Sequence, residues 1–234
     1  MTAPFKKWTV MPHGQLTQIN ERLITVVGEV EMPLLKLPRR MTAVRLKSGG
    51  LIIFSAVALL DHEMAELEAF GQPKFLVVPS VMHRLDAPSY AQRYPNIIVV
   101  APSAGAQKIG EVGASTPARR TSVIPVCAMS SWPATRCWKS CDDGVTLVVN
   151  DLIGDIHGES GVGGWLLRVM GFAGDEPHVP APVKLLMGKH KSEVAAQFRR
   201  WADNANLRRI IVSHGDPIVN DPRAALRTLA ASLE

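Results

Sequence analysis

Eight short apolar runs, each closed by polar or turn residues, constrain the fold of this chain more than any other feature. They are Leu23–Val30, Thr42–Leu46, Leu51–Val57, Phe75–Val78, Ile97–Ala101, Ser122–Met129, Val145–Asn150 and Arg209–Ser213. Runs of this length, rich in Val and Ile and bounded by turn residues, read as β-strands. Several are apolar throughout, as strands covered on both faces are. Helices must therefore lie outside the sheets. The helical periods fall between the later runs. Asp61 is placed to cap a helix reaching Phe70, with Met64, Leu67 and Phe70 on one face and Gly71 as the stop. Residues 87–94 form a shorter candidate. Val194, Ala195, Phe198, Trp201 and Ala202 share a face after Ser192. Asp221-Pro222 opens a last helix carrying Leu226, Leu229 and Leu233. The Gly-rich stretch Gly161–Gly171 reads as a helix or a loop over a cleft. No repeat or low-complexity linker interrupts the 234 residues. The expectation is one α/β domain over 1–234, with a core from about 16 to 217 and a C-terminal helix over 221–233.

Composition narrows the function classes. Hydrophobic residues make up 47% and charged residues 20%, which suits a packed globular chain rather than a disordered one. The net charge is +5, yet its densest basic features are four separated pairs, Arg39–Arg40, Arg119–Arg120, Arg199–Arg200 and Arg208–Arg209. A nucleic-acid groove needs clustered charge interleaved with aromatic rings, and only 6% of residues are aromatic. Nucleic acid is therefore disfavoured as a partner. No run of about 20 apolar residues is present, so neither a membrane span nor a membrane partner is expected. The opening MTAPFKKWTVMPHG lacks the apolar core of a secretory signal. Three cysteines, Cys127, Cys137 and Cys141, are too few and odd in number for a disulfide framework. Reduced thiols and a cytoplasmic location follow as expectations. Cys137 and Cys141 have no second pair with which to form a zinc knuckle.

Three of the runs end in residues able to bind a metal or move a proton. FLVVPS leads to VMHRLD, placing His83 and Asp86 after a strand. VTLVVN ends at Asp151, and RRIIVS ends at His214, followed by Gly215 and Asp216. In α/β folds ligands gather outside the carboxyl ends of strands. Two imidazoles and one or more carboxylates at one sheet edge suit zinc or iron. Taken singly, each residue has a plainer reading as a surface His or a turn Asp. The coincidence of three strand ends is what favours a metal. Other chemistries lack their motifs: there is no G-x-S-x-G, no G-x-G-x-x-G after an early strand and no G-x-x-x-x-G-K-[ST]. The run Gly154-Asp155-Ile156-His157-Gly158 resembles the first metal motif of calcineurin-like phosphoesterases. That family's companion motifs are missing, so the match reads as chance.

Taken together, these segments resemble the metallo-β-lactamase fold superfamily. They are most similar to its bacterial branch described as domain of unknown function 4336. The resemblance runs from about Leu16 to Pro217. It rests on INERLITVVGEV, MTAVRLKSGGLIIFSAVAL, DHEMAELEAFG, PKFLVVPSVMHRLDAPSYAQRYPNIIVVAP, GVTLVVNDLI and RRIIVSHGDPI. It implies a four-layer αβ/βα sandwich. Where the superfamily carries H-x-H-x-D-H, this chain reads His83-Arg84-Leu85-Asp86, keeping one His and one Asp. The next His motif belongs between about Ser122 and Cys141, where no His occurs. The bridging-Asp motif matches Asp151, and the final His motif matches His214. The resemblance thus implies one ion, zinc or iron, rather than two, held by His83, Asp86, Asp151 and His214, with a metal-free site as the alternative. His157, six residues beyond Asp151, reads as a loop His that could also serve as a substitute ligand. Asp151 and Asp86 are the candidate catalytic carboxylates. The implied activity is metal-dependent hydrolysis of a small-molecule substrate. The alternative is a non-catalytic member of the fold that binds a ligand or protein partner, and a homodimer is compatible with either.

Overall fold

The computed structural model describes residues 4–32, 35–101, 135–139, 144–157, 161–169, 171 and 173–234. The chain divides into two compact units, Met1–Val30 with Pro38–Ile124, and Glu31–Leu37 with Pro125–Glu234.

The first unit is built on a six-stranded sheet. Its strands are β1 (Thr17–Asn20), β2 (Leu23–Met32), β3 (Leu35–Arg45), β4 (Gly50–Phe54), β5 (Gln72–Val77) and β6 (Ile98–Val100), paired in sequence order. β3 and β4 are antiparallel, and β4–β5 and β5–β6 are parallel. Parallel neighbours need a crossover, and helices supply both. α1 (Asp61–Phe70) joins β4 to β5, and α2 (Ala87–Arg93) lies between β5 and β6. Alternate residues of four strands share one face of the sheet: Ile24 and Val26, Met41 and Ala43, Leu51 and Ile53, and Leu76, with Val78 just past β5. Met64 and Leu67 of α1 and Ala87 and Tyr90 of α2 close this core. The buried Tyr90 hydroxyl donates to Val57 O at 2.9 Å. The expected cap of α1 shifts by one residue. Leu60 is the N-cap, its N–H donating to Glu63 Oε2 at 3.0 Å, while Asp61 is the first helical residue and accepts from Arg93 at 3.3 Å. A carboxylate three residues inside the helix satisfies the orphan amide as well as a capping side chain does.

The second unit carries a three-stranded sheet in the order β7 (Thr135–Lys139), β8 (Val145–Asp155), β9 (Leu207–Gly215). β7 runs antiparallel to β8, and β8 runs parallel to β9. Between β8 and β9 lie α3 (Gly161–Val169), α4 (Ala181–Met187) and α5 (Lys191–Ala202); α6 (Pro222–Ala231) follows β9. Leu147 and Val149 of β8 and Ile210 and Val212 of β9 pack with Val194, Ala195, Phe198 and Ala202 of α5 and Leu226 and Leu229 of α6. Asp221 caps α6 as the sequence predicts, Oδ1 accepting from Ala224 N at 2.9 Å. Gly161–Val169 is helical, deciding the helix-or-loop alternative.

The α/β class read from the apolar runs is the one observed. The departures have physical causes. β3 starts at Leu35 rather than Thr42 because it carries two buried arginines, Arg39 and Arg40, that an apolar pattern hides. β1, β7 and α4 were not expected; TQIN and TRCWK lack a strand's apolar pattern. The candidate strand Ser122–Met129 lies outside the described residues. So do Cys127, Cys141 and the side chain of Cys137.

Candidate metal centre

In the second unit, β8 and β9 form an ordinary parallel ladder through Val148↔Ile211 and Val149↔Val212. The ladder then breaks. Its next pair is Gly154↔His214, so five residues of β8 span two of β9. The surplus forms a bulge that contains Asp151 at a φ of 50°. Asp is among the few side chains that enter the left-handed region without prohibitive cost. Bulges re-aim side chains, and here the result is specific. Asp151 Oδ1 lies 3.0 Å from His214 Nε2. His214 is buried and Asp151 is partly exposed, so the pair faces solvent through its carboxylate. Just before the pair, the buried Ser213 hydroxyl donates to Asn150 Oδ1, tying the base of the bulge to β9.

After the bulge the strands close again through Gly154↔His214 and Asp155↔Gly215. Gly215 has a φ of 108°, and a Cβ built there would lie 1.9 Å from Asp155 O. That carbonyl accepts from Asp216 N at 3.1 Å. The residue after His214 must therefore be glycine if β8 is to approach this closely.

His83 and Asp86 belong to the first unit. Beyond β5, Ser80 starts a single 3-10 turn, Val81–His83, with its hydroxyl accepting from Met82 N at 3.2 Å and its carbonyl accepting from His83 N at 3.1 Å. His83 ends the turn, half-buried. Asp86 sits at the start of α2 with no exposed surface. Its Oδ2 meets Arg39 Nη1 at 2.5 Å. Burial raises the Asp86 carboxyl above its ordinary value, and the guanidinium opposes that shift. Asp86, expected as a ligand and a catalytic carboxylate, is thus turned to Arg39. Sequence reasoning missed Arg39, 47 residues away. The available signal was a pair of charges, Arg39–Arg40, standing inside the otherwise strand-like KLPRRMTAVRL.

The Gly154–His157 stretch has a structural use. Gly154 re-enters the ladder, and Ile156 packs with Leu167 and Ala173. Asp155 is buried, with His157 Nε2 2.7 Å from its Oδ1. Burial raises the Asp155 carboxyl, His157 pulls it back, and Asp216 adds to the rise. Among the described residues, no group of three or more ligating side chains includes Asp155 or His157. The structure therefore brings Asp151 to His214, Asp86 to Arg39, and His157 to Asp155. The segment expected to hold the superfamily's middle His motif lies almost wholly outside the described residues.

The chain is similar in structure to several solved metallo-β-lactamases. FIM-1 from Pseudomonas aeruginosa, in its mono-zinc form, matches with a TM-score of 0.53 at 16% identity, over 95% of this chain and 96% of that one. DIM-1, exposed to ceftazidime, matches at 0.55 and 11%, over 97% and 100%. A metallo-β-lactamase from Erythrobacter litoralis matches at 0.53 and 14%, over 93% and 96%. No protein-family model matches the sequence, and neither does any curated protein sequence. At such identities the likeness is one of fold. The chain has the metallo-β-lactamase fold, as its resemblance implied. Among the described residues, no helix is long and apolar enough to cross a membrane.

Proposed function

We propose that this chain is a metal-dependent hydrolase that holds one ion, zinc or iron, through His83, Asp151 and His214. The observation that carries the reading is the bulge in β8, which turns a strained Asp151 onto His214. Their 3.0 Å separation is close to the edge of a tetrahedral site, about 3.3 Å for ligand bonds of 2.0–2.1 Å. Each of the three residues offers one ligand atom, an imidazole nitrogen or a carboxylate oxygen. Two imidazoles and one carboxylate form a donor set that suits zinc or iron and leaves a position for water and substrate. When bound, the ion supplies a water of lowered pKa and polarises a carbonyl or phosphoryl oxygen of the substrate.

The chain's own contribution is placement. His214 and His83 would each offer a ring nitrogen to the ion. Asp151 supplies the site's carboxylate from a backbone that cannot relax without breaking the β8–β9 register. In this reading Asp86 positions the 83–86 turn through Arg39 and is not a ligand. The substrate is a small molecule whose class the fold does not dictate. The apolar runs and their His and Asp endings support membership of the branch described as domain of unknown function 4336, and the odd count of three cysteines supports a cytoplasmic location.

A second reading, a non-catalytic member of the fold, draws on one observation. Asp86, half of the surviving H-x-H-x-D-H remnant, is engaged by Arg39. Metal analysis of the protein purified without added metal separates the two. The hydrolase reading expects close to one zinc or iron per chain, lost in His83→Ala with His214→Ala and retained in Asp86→Asn. If no metal binds when zinc or iron is supplied, the non-catalytic reading stands. Loss of metal in Asp86→Asn would return Asp86 to the ligand set.

A further inference from the structure

A surface helix normally shows apolar residues to the core and polar residues to water. α4 shows apolar residues both ways. Its inner side is Met187, buried, with Val183 packed against the second unit's core. Its outer side carries Leu185 and Leu186, 83% and 79% exposed. α3 repeats the pattern one turn apart, with Trp165 at 63% and Val169 at 62%. Among the described residues these four are the most exposed large apolar side chains, and all lie on two helices of one unit. The helices adjoin: a Cβ built at Gly171, just past α3, would lie 2.9 Å from Ala181 N at the start of α4, and the Gly171 carbonyl lies 3.0 Å from His178 Nε2.

The charges around these side chains, four cations against Asp175, Glu176 and Glu193, lean toward an anionic occupant. Exposed Lys189 and Lys191 follow α4 directly, Lys184 sits on it, and Arg168 sits on α3. Arg168 meets Asp175 at 3.5 Å, and Lys184 reaches Ser232 O at 3.5 Å, so Lys189 and Lys191 are the cations best placed to act outward. A second copy docking by the same face would set these lysines against themselves, as a two-fold contact pairs each patch with its own image. Exposed Leu and Trp combined with flanking Lys is instead the chemistry of an interfacial segment, apolar tips in the acyl boundary and ammonium groups at anionic headgroups. We propose that α3 and α4 form a peripheral docking surface for an anionic lipid bilayer, with Leu185, Leu186 and Trp165 inserting and Lys189 and Lys191 meeting the headgroups. The surface is independent of the metal-site reading.

The test is vesicle sedimentation of the full chain at low salt. One vesicle set is phosphatidylcholine alone, and the other is phosphatidylcholine with an equal part of phosphatidylglycerol. The chain is expected to pellet with the anionic vesicles and much less with the neutral ones. Leu185→Gln with Leu186→Gln should weaken that partitioning by at least tenfold, and Lys189→Glu with Lys191→Glu should weaken it and remove its salt dependence. Both variants change exposed side chains, and circular dichroism verifies their fold. No pelleting with either vesicle would overturn the proposal, as would pelleting indifferent to both variants. Concentration-dependent dimerisation abolished by the leucine variant, without vesicle binding, would assign the face to a second copy instead.

Discussion

Replacing Gly215 by alanine tests whether the closure of β8 on β9 after the bulge is as tight as described. Two costs combine at this position. The first is conformational: a φ of 108° is strained for any residue with a Cβ, at about 1–3 kcal/mol. The second is steric. The new Cβ would lie 1.9 Å from Asp155 O, 2.2 Å from Asp155 C and 2.8 Å from Ile156 N. All three are backbone atoms, so no side-chain rotation relieves the contact. The strands must separate by about an ångström, and the Asp216 N–H bond to Asp155 O is strained or lost. Overpacking of this kind costs about 1–3 kcal/mol more. The expected destabilisation is roughly 2–6 kcal/mol, a large share of a typical domain's net stability of about 5–15 kcal/mol.

Gly49→Ala separates the two costs. Gly49 also has a positive φ, 83°, but a Cβ there meets nothing within 4 Å. It should show the conformational cost alone, about 1–3 kcal/mol. Urea denaturation of both variants at neutral pH gives the comparison. Because the separation occurs beside His214, Gly215→Ala should also lower metal content in the protein that remains folded, while Gly49→Ala should not. If Gly215→Ala is no less stable than Gly49→Ala, the close approach of the strands is wrong, and so is the placement of His214 that depends on it.

Three further outcomes follow from the same geometry. Arg39→Met removes the cation beside the fully buried Asp86, and breaking such a pair should cost about 3–5 kcal/mol at neutral pH. Without Arg39 the Asp86 carboxyl rises further, so its stabilising neutral form is lost as pH climbs through the folded pKa; denaturation at several pH values should show the deficit shrinking toward acid. Asp155 is likewise raised by burial, so its contribution is full below the unfolded value of about 3.9 and is lost as pH rises through the folded one. Asp155→Asn should therefore gain stability relative to the parent chain as pH rises, while bound metal is retained; metal loss with the fold intact by circular dichroism would revive the phosphoesterase reading of residues 154–158. Titration of the denatured chain under non-reducing conditions should count three thiols, and a count of one would expose a disulfide and defeat the cytoplasmic reading.

Strands were legible where both faces are apolar, because burial on two sides leaves a continuous run. β4, with Leu51 through Phe54 all buried, is the clearest case. β3 was half legible. Its later half shows the apolar pattern, while Arg39 and Arg40 disguise the earlier half. A buried cation is tolerated only with a partner, and Arg39's partner lies on another element. Local sequence carries no trace of such a pairing. α4 was missed for the opposite reason: its apolar residues point both inward and outward, so no helical stripe stands out from APVKLLM.

The candidate site was legible through a strand ending that proved to be something else. Asn150 and Asp151 look like the close of β8 because two polar residues follow an apolar run. β8 in fact continues to Asp155, and the polar pair marks its bulge. Three non-glycine residues of the described chain have positive φ: Ser55, Asp151 and Asp221. Asp221 offsets its strain with a helix cap, a carboxylate bonded to the Ala224 amide. Asp151 has a similar φ, 50° against 44°, but its carboxylate meets an imidazole nitrogen instead of an amide. An amide could only complete the fold, whereas an imidazole can also bind a metal. Strain held against an imidazole, at a place where the ladder would run straight without it, is what the proposed metal site would require of the backbone.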